Sequence, residues 1–131
     1  MDEVPGQPPY PVGLRLAGRR VVVVGGGAVA QRRIPTLLGA GALVTVVSPV
    51  VRPAIEAMAA SGEITHVPRP YAGGDLDGAW YALACTDVPE VNAAVAQGAQ
   101  RRRIFCVRAD AAPGGSAVTP AVPRGRCGSA S

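Results

Sequence analysis

The sequence predicts an α/β fold in which a doubly wound, mostly parallel sheet of five strands carries helices on both faces. Three observations support this prediction. Short apolar runs alternate along the chain with stretches of helical composition, which is typical of βαβ units. The first run contains four consecutive valines at 21–24 and has the composition of a strand buried on both faces. Glycines follow this run directly, as expected where a strand turns sharply into a helix.

The glycine-rich turn after the first strand predicts a site for a dinucleotide. Gly25, Gly27 and Ala30 match the GxGxxG/A pattern, which here lies between an apolar strand and a helical stretch. In that setting a tight turn lets a pyrophosphate approach the backbone and lie at the N-terminus of the following helix. The fold is therefore expected to be Rossmann-like. The alternative is a glycine turn that serves only to pack the strand against the helix.

The first half of the chain is predicted to contain two helices and two further strands. A helix is expected at 28–38, although Pro35 within it lacks a backbone donor, and glycines end it. A buried strand follows at 42–47. Pro53 favours the first turn of a second helix, which reaches residue 60. Residues 64–67 form a short third strand.

The second half is predicted to contain a loop, two strands and one helix. Residues 71–78 are expected to form a loop or a short helical turn, and 80–85 a fourth strand. Asp87 is predicted to be the N-cap of a helix to about residue 102, because proline and glutamate follow it with capping-box spacing. The arginines at 101–103 suit the negative end of that helix, and 104–108 form the fifth strand.

The charge of the chain favours anionic small molecules as ligands. The net charge is +4, and arginine accounts for all 13 cationic side chains. Such a surface attracts anions. The arginines fall in separate groups without interleaved aromatic residues, so a nucleic-acid interface is not expected.

The length of 131 residues predicts one domain. We expect an irregular lead-in at 1–13, the Rossmann-like domain at 14–112 and an irregular tail at 113–131. The three cysteines lack CxxC spacing, which favours buried thiols over a disulfide framework or a zinc site. The start of the sequence has no leader pattern and no apolar run is long enough to cross a membrane, so a cytoplasmic protein is expected.

The carboxyl ends of the predicted strands define the expected site, because ligands of open parallel sheets bind beyond that edge. Of the segments that follow the strands there, two carry carboxylates, Asp87 and Asp110. Asp110 precedes no apolar run that it could cap, which favours a chemical role, whereas the alternative is a turn former. The acidic partner of the ribose is missing, since Ser48 stands at its position. Ser48 could bind a ribose hydroxyl and Arg52 a 2′-phosphate, so NAD and NADP both remain open.

Several segments, in order along the chain, give a resemblance to a known family. They are residues 10–14, 23–33, 39–49, 84–87 with Asn92, 103–106 leading to Asp110, and 119–121. With these features the chain resembles the bifunctional precorrin-2 dehydrogenase/sirohydrochlorin ferrochelatase family, which also forms the N-terminal domain of sirohaem synthases. Each segment is weakly specific alone, and together they are fairly specific.

The resemblance implies an NAD-dependent oxidation of precorrin-2 to sirohydrochlorin, followed in many members by insertion of ferrous iron. It implies that Asp110 is the catalytic residue and that no protein metal ligand is needed, because the macrocycle nitrogens hold the iron. A tetrapyrrole with many carboxylates would suit the arginine-rich surface. By position the cofactor contacts are Gly25, Gly27, Ala28, Val29, Ser48, Pro49, Val50 and Thr86.

Two departures from the family stand beside this resemblance. Val107 occupies a position where members often have asparagine, and the sequence ends before the segment that builds the family's homodimer and part of its cleft. A non-catalytic NAD(H)-binding module is therefore the alternative function. A methyltransferase that uses S-adenosylmethionine shares the glycine turn, but it needs an acid where Ser48 stands.

Overall fold

The computed structural model describes residues 7–110, and the predicted tail at 113–131 lies outside the described residues. All five strands pair in parallel in one sheet, which confirms the predicted fold class. The strands are β1 (Arg20–Val24), β2 (Leu43–Val47), β3 (Thr65–Val67), β4 (Tyr81–Ala84) and β5 (Phe105–Arg108). The helices are α1 (Ala28–Gly39), α2 (Pro53–Ala60) and α3 (Pro89–Arg101), with one 3₁₀ turn at Gly73–Leu76.

The strand order β3-β2-β1-β4-β5 places β1 at the centre of the sheet. From β1 the chain moves outward to β2 and β3 and then returns to the other side of β1 for β4 and β5. The order therefore reverses between β1 and β4. In open parallel sheets this switch point opens a crevice beyond the carboxyl ends of the strands.

The valines of β1 alternate between two hydrophobic cores, one on each face of the sheet. Val21 and Val23 pack in the core that α1 and α2 cover, whereas Val22 and Val24 pack in the core under α3. All four are almost completely buried, which explains why β1 has no polar face. Within residues 7–110 no helix has the length and apolar character needed to span a bilayer.

The helix boundaries confirm most predictions and correct one. The arginine run lies at the C-terminus of α3, as expected. The N-cap of α3 is Val88 rather than Asp87, so the predicted capping box is wrong. The hydroxyl of Thr86 accepts the Val88 N–H at 3.1 Å and forms the turn that precedes the helix. Asp87 is left exposed before the first turn.

An ion pair fixes the 3₁₀ turn that precedes β4. Arg69 donates two hydrogen bonds to the largely buried carboxylate of Asp75, which also accepts the Ala72 N–H at 2.8 Å. The Arg69 hydrogen bonds lower the pKa of Asp75 against the opposing effect of burial, and the Ala72 bond lowers it further. This arrangement anchors the segment that carries the buried Leu76 into the core under α3.

The pH dependence of stability should report this ion pair. Because the folded-state pKa of Asp75 is depressed, its contribution is present above the unfolded-state value and is lost as pH falls below about 4. We expect Asp75→Asn to flatten the fall in unfolding free energy between about pH 5 and pH 3, measured by urea denaturation. Glu56→Gln, at an exposed carboxylate of α2, is the matched control for the loss of one negative charge.

Candidate functional site

Close contacts make the carboxyl ends of β1, β2 and β4 one continuous edge. The backbone of Gly25 lies against Cys85, and that of Gly26 lies against Val50 and Val51. The Gly25 N–H donates to the carbonyl of Val47, and the Cys85 N–H donates to that of Val24. The ladder thus continues past the strands, and the glycine turn is held from both sides.

Each glycine of this turn meets a different steric requirement. A Cβ on Gly25 would lie 2.8 Å from the Cys85 carbonyl oxygen, and its φ of +127° disfavours any other residue. A Cβ on Gly26 would lie 2.5 Å from the Val50 oxygen. A Cβ on Gly27 would meet nothing within 4 Å, because this glycine faces open space. The first two glycines therefore allow close packing, and the third leaves room above the turn.

The N-terminus of α1 opens into that space. Its N-cap is Gly27, which supplies no side-chain cap, and the first turn contains no acidic residue. Ala28 is exposed and Val29 partly exposed, whereas Ala30 is buried against the sheet. A helix N-terminus favours an anion through its N–H groups and its dipole. These residues therefore fit the pyrophosphate of a dinucleotide.

The segment after β2 forms the next part of the edge. Ser48 is buried, and its hydroxyl donates to the Val50 carbonyl at 2.7 Å. His66 on β3 contacts the Ser48 carbonyl through Nε2 at 2.8 Å, a structural role. Pro49 and Val50 are exposed beside the glycine turn. Ser48 stands where an acidic partner of a ribose would be expected, as the sequence indicates.

The loop after β4 is tied to α3 through a buried asparagine. The amide oxygen of Asn92 accepts the Thr86 N–H at 3.0 Å, and its Nδ2 donates to the Thr86 carbonyl at 3.0 Å. The Thr86 hydroxyl lies 2.9 Å from the same amide oxygen and 3.0 Å from the Val88 carbonyl, so its single hydrogen can serve either acceptor. The backbone of Thr86 is consequently fixed at the sheet edge.

Asp110 lies beyond the end of β5, next to this loop. The Ala109 N–H bonds to the Ala84 carbonyl, which aligns the segment with β4. Arg108 donates from Nε to Oδ1 of Asp110 at 3.2 Å and from Nη2 to Oδ2 at 2.9 Å. Asn92 donates to the same Oδ2 at 3.1 Å. The Asp110 side chain is 18% exposed, so it is oriented by these donors and still partly accessible to solvent.

The structure thus brings Asp110 and Thr86 into one hydrogen-bonded group, and among the contacts of residues 7–110 none joins Asp87 to it. Sequence reasoning assigned no role to two members of this group, although Asn92 belongs to the segments that carry the family resemblance. Asn92 has a recognisable signal, because it is a polar residue on the apolar stripe of α3 that continues through Val95 and Ala99. Arg108 has only its two-residue spacing from Asp110 as a signal. Within residues 7–110 no cluster of three His, Cys, Asp or Glu side chains is suited to a metal ion.

The thiols near the site should be unreactive in the folded protein. Burial raises the pKa of Cys85 to about 11 and that of Cys106 to about 12, against a usual value of 9.0. At pH 8 the thiolate fraction of Cys85 is therefore about 100-fold below that of a free thiol. In a Cys127→Ser background we expect labelling by Ellman's reagent to accelerate by at least about 100-fold on unfolding in guanidinium. Rapid labelling of the folded protein would contradict this buried environment.

A family model described as "Putative NAD(P)-binding" matches residues 12–121, which include the glycine turn and Asp110. The chain belongs to this family. The matched span contains all five strands of the sheet. Membership of a family described as NAD(P)-binding agrees with the fit of the glycine turn to a pyrophosphate.

Comparison with individual proteins supports a narrower relationship. The chain is 42% identical over 113 residues to a siroheme synthase of Chromobacterium violaceum and 40% identical over 112 residues to siroheme synthase 3 of Aeromonas hydrophila. Each alignment covers 86% of this chain and 24% of the relative, so the chain spans about a quarter of their length. A solved structure of SirC, precorrin-2 dehydrogenase, matches with a TM-score of 0.72 and 33% identity. That match covers 89% of this chain and 58% of the other.

Proposed function

We propose that this chain carries out the NAD-dependent oxidation of precorrin-2 to sirohydrochlorin, as part of sirohaem synthesis. The observation that carries the proposal is a carboxylate, Asp110, fixed at the same sheet edge as the glycine turn. The similarity to siroheme synthases and to SirC supports this choice of substrate. The alternative is a module that binds NAD(H) without catalysis.

The proposed cofactor site is the rim that faces the open space above Gly27. The residues that we assign to it are Gly25 and Ser48, which are buried and support the rim, and Gly27, Ala28, Val29, Pro49, Val50 and Thr86, which are partly or fully exposed. The backbone at Gly27 and the N-terminus of α1 would hold the pyrophosphate, and the exposed Val50 would cover the adenosine end. Bound NAD supplies the hydride acceptor that the oxidation needs.

Asp110 supplies the acid–base chemistry in this proposal. Oxidation of the macrocycle removes one hydride and one proton, and the Asp110 carboxylate accepts the proton as general base. Arg108 pairs with the carboxylate through two hydrogen bonds and orients it before the substrate arrives. The arginine-rich surface would attract the carboxylates of the tetrapyrrole.

A direct assay tests the proposal. The purified chain is mixed with precorrin-2 and NAD, and NADH is followed by its absorbance. We expect NADH and sirohydrochlorin to form in equal amounts. Calorimetric NAD binding without tetrapyrrole turnover would instead support the non-catalytic module.

Iron insertion and dimerisation form a finer part of the proposal. We infer that Asp110 also accepts pyrrole protons when ferrous iron enters sirohydrochlorin, since the macrocycle nitrogens themselves bind the metal. Adding ferrous iron to sirohydrochlorin under anaerobic conditions and recording the sirohaem spectrum tests this step. Light scattering of the same sample tests whether a homodimer forms.

A further inference from the structure

We propose that Asn92 is a positioning residue that couples the loop after β4 to the Asp110 carboxylate, an inference that rests on the proposed function of Asp110. The juxtaposition that carries it is one buried amide bonded to Thr86 on one side and to Asp110 on the other. Asn92 does not itself reach the crevice, because its side chain is completely buried.

The orientation of the amide follows from its partners. The Thr86 N–H can only donate and the Thr86 carbonyl can only accept, so Oδ1 must face the former and Nδ2 the latter. The second hydrogen of Nδ2 then points to Oδ2 of Asp110, 18 residues further along the chain. Asp110 therefore receives a donor whose position depends on the loop at the proposed cofactor site.

The hydrogen bond from Asn92 to Asp110 is not needed to anchor the loop after β4. Two hydrogen bonds between Asn92 and the Thr86 backbone already fix the loop to α3. The third hydrogen bond of Asn92 goes to the Asp110 carboxylate. Among the described contacts this carboxylate also pairs with Arg108. Donors from α3 and from β5 thus meet at the same carboxylate oxygen, Oδ2. A shift of the Thr86 loop would therefore move one of the donors that hold the Asp110 carboxylate.

The wild-type protein offers a test that needs no turnover. Asn92 is the only asparagine of the chain, so its side-chain NH₂ signals can be assigned in a ¹⁵N spectrum by one Asn92→Asp comparison. We expect these signals to shift with pH along the same curve as the ¹³C signal of the Asp110 carboxyl carbon. NH₂ signals that stay constant while Asp110 titrates would overturn the coupling, whether or not the chain oxidises precorrin-2.

The variant Asn92→Asp tests the consequence for catalysis. It keeps the shape and the acceptor toward the Thr86 N–H, but it replaces the NH₂ group that donates to Asp110 and to the Thr86 carbonyl with a second carboxylate oxygen. Two carboxylates at hydrogen-bond distance raise the pKa of the pair. We expect kcat to fall about 10-fold or more and the acidic limb of its pH profile to move upward.

Val95→Ala is the matched control, because Val95 is another completely buried residue of α3 without a contact to Asp110 among the described interactions. It should lower thermal stability and leave kcat and its pH profile unchanged. Wild-type turnover with an unchanged Asn92→Asp profile would refute the positioning role and leave the proposed function intact. Absence of wild-type turnover would refute the function, and the NMR titration would still decide the coupling.

Discussion

Replacing Asp110 with asparagine is expected to lower the rate of precorrin-2 oxidation by about 10²–10⁴-fold, the usual contribution of a general base. The amide has nearly the same shape but accepts no proton at neutral pH. Asp110 also lies outside the glycine turn, so calorimetric titration should give an NAD dissociation constant within about threefold of the wild-type value. The expected result is therefore a loss of kcat with little change in cofactor binding.

Asp87 provides the matched control for this substitution. It is the other carboxylate that the sequence places at this edge of the sheet, and it is exposed, with no hydrogen bond to Asn92 or Asp110 among the described contacts. We expect Asp87→Asn to retain wild-type turnover. Equal losses in both variants would indicate a general effect of charge at the edge, and full activity of Asp110→Asn would remove Asp110 from the mechanism.

Alanine substitutions at adjacent glycines should separate folding from cofactor binding. Gly26→Ala places a methyl group 2.5 Å from the Val50 oxygen and 2.8 Å from Val51 Cα, both backbone atoms that cannot move independently. We expect it to lower the free energy of unfolding by about 3 kcal/mol or more, measured by urea denaturation. Gly27→Ala adds a methyl group in open space at a φ of −96°, so stability should change by less than about 1 kcal/mol.

The same Gly27→Ala variant should bind NAD at least about 10-fold more weakly, because the added methyl group fills the space proposed for the pyrophosphate. Calorimetry on the folded variant measures this directly. Unchanged NAD binding by Gly27→Ala would place the dinucleotide elsewhere. A stable Gly26→Ala protein would contradict the close packing of the turn against the segment after β2.

Much of the fold could be predicted because its signals are local. The valine run, the glycine turn and Pro53 each determine a nearby structure through burial, steric freedom or a fixed φ angle. The predicted bounds of α2 agree with the structure at both ends. The edge that gathers Gly25 and Asp110 also followed from the sequence, because parallel strands all end at one side of the sheet.

The contacts within the site are less accessible to such reasoning. The N-cap of α3 was mispredicted because Asp87 has suitable chemistry, whereas the position of Thr86 against Asn92 depends on how α3 packs on the sheet. The pairing of Arg108 with Asp110 likewise requires both side chains to turn toward the same side of the chain after β5. Local composition carries no information about these tertiary choices.

The central position of β1 has a consequence for biosynthesis. When the ribosome has released the chain only as far as β3, β1 can already pair with β2. The other edge of β1 and the face formed by Val22 and Val24 have no partner yet. Both are satisfied only after β4 and α3 emerge, and α3 ends at Arg101, 34 residues after the end of β3 at Val67. Nascent chains of intermediate length therefore present an unpaired apolar strand, and they should be preferred clients of ribosome-associated chaperones.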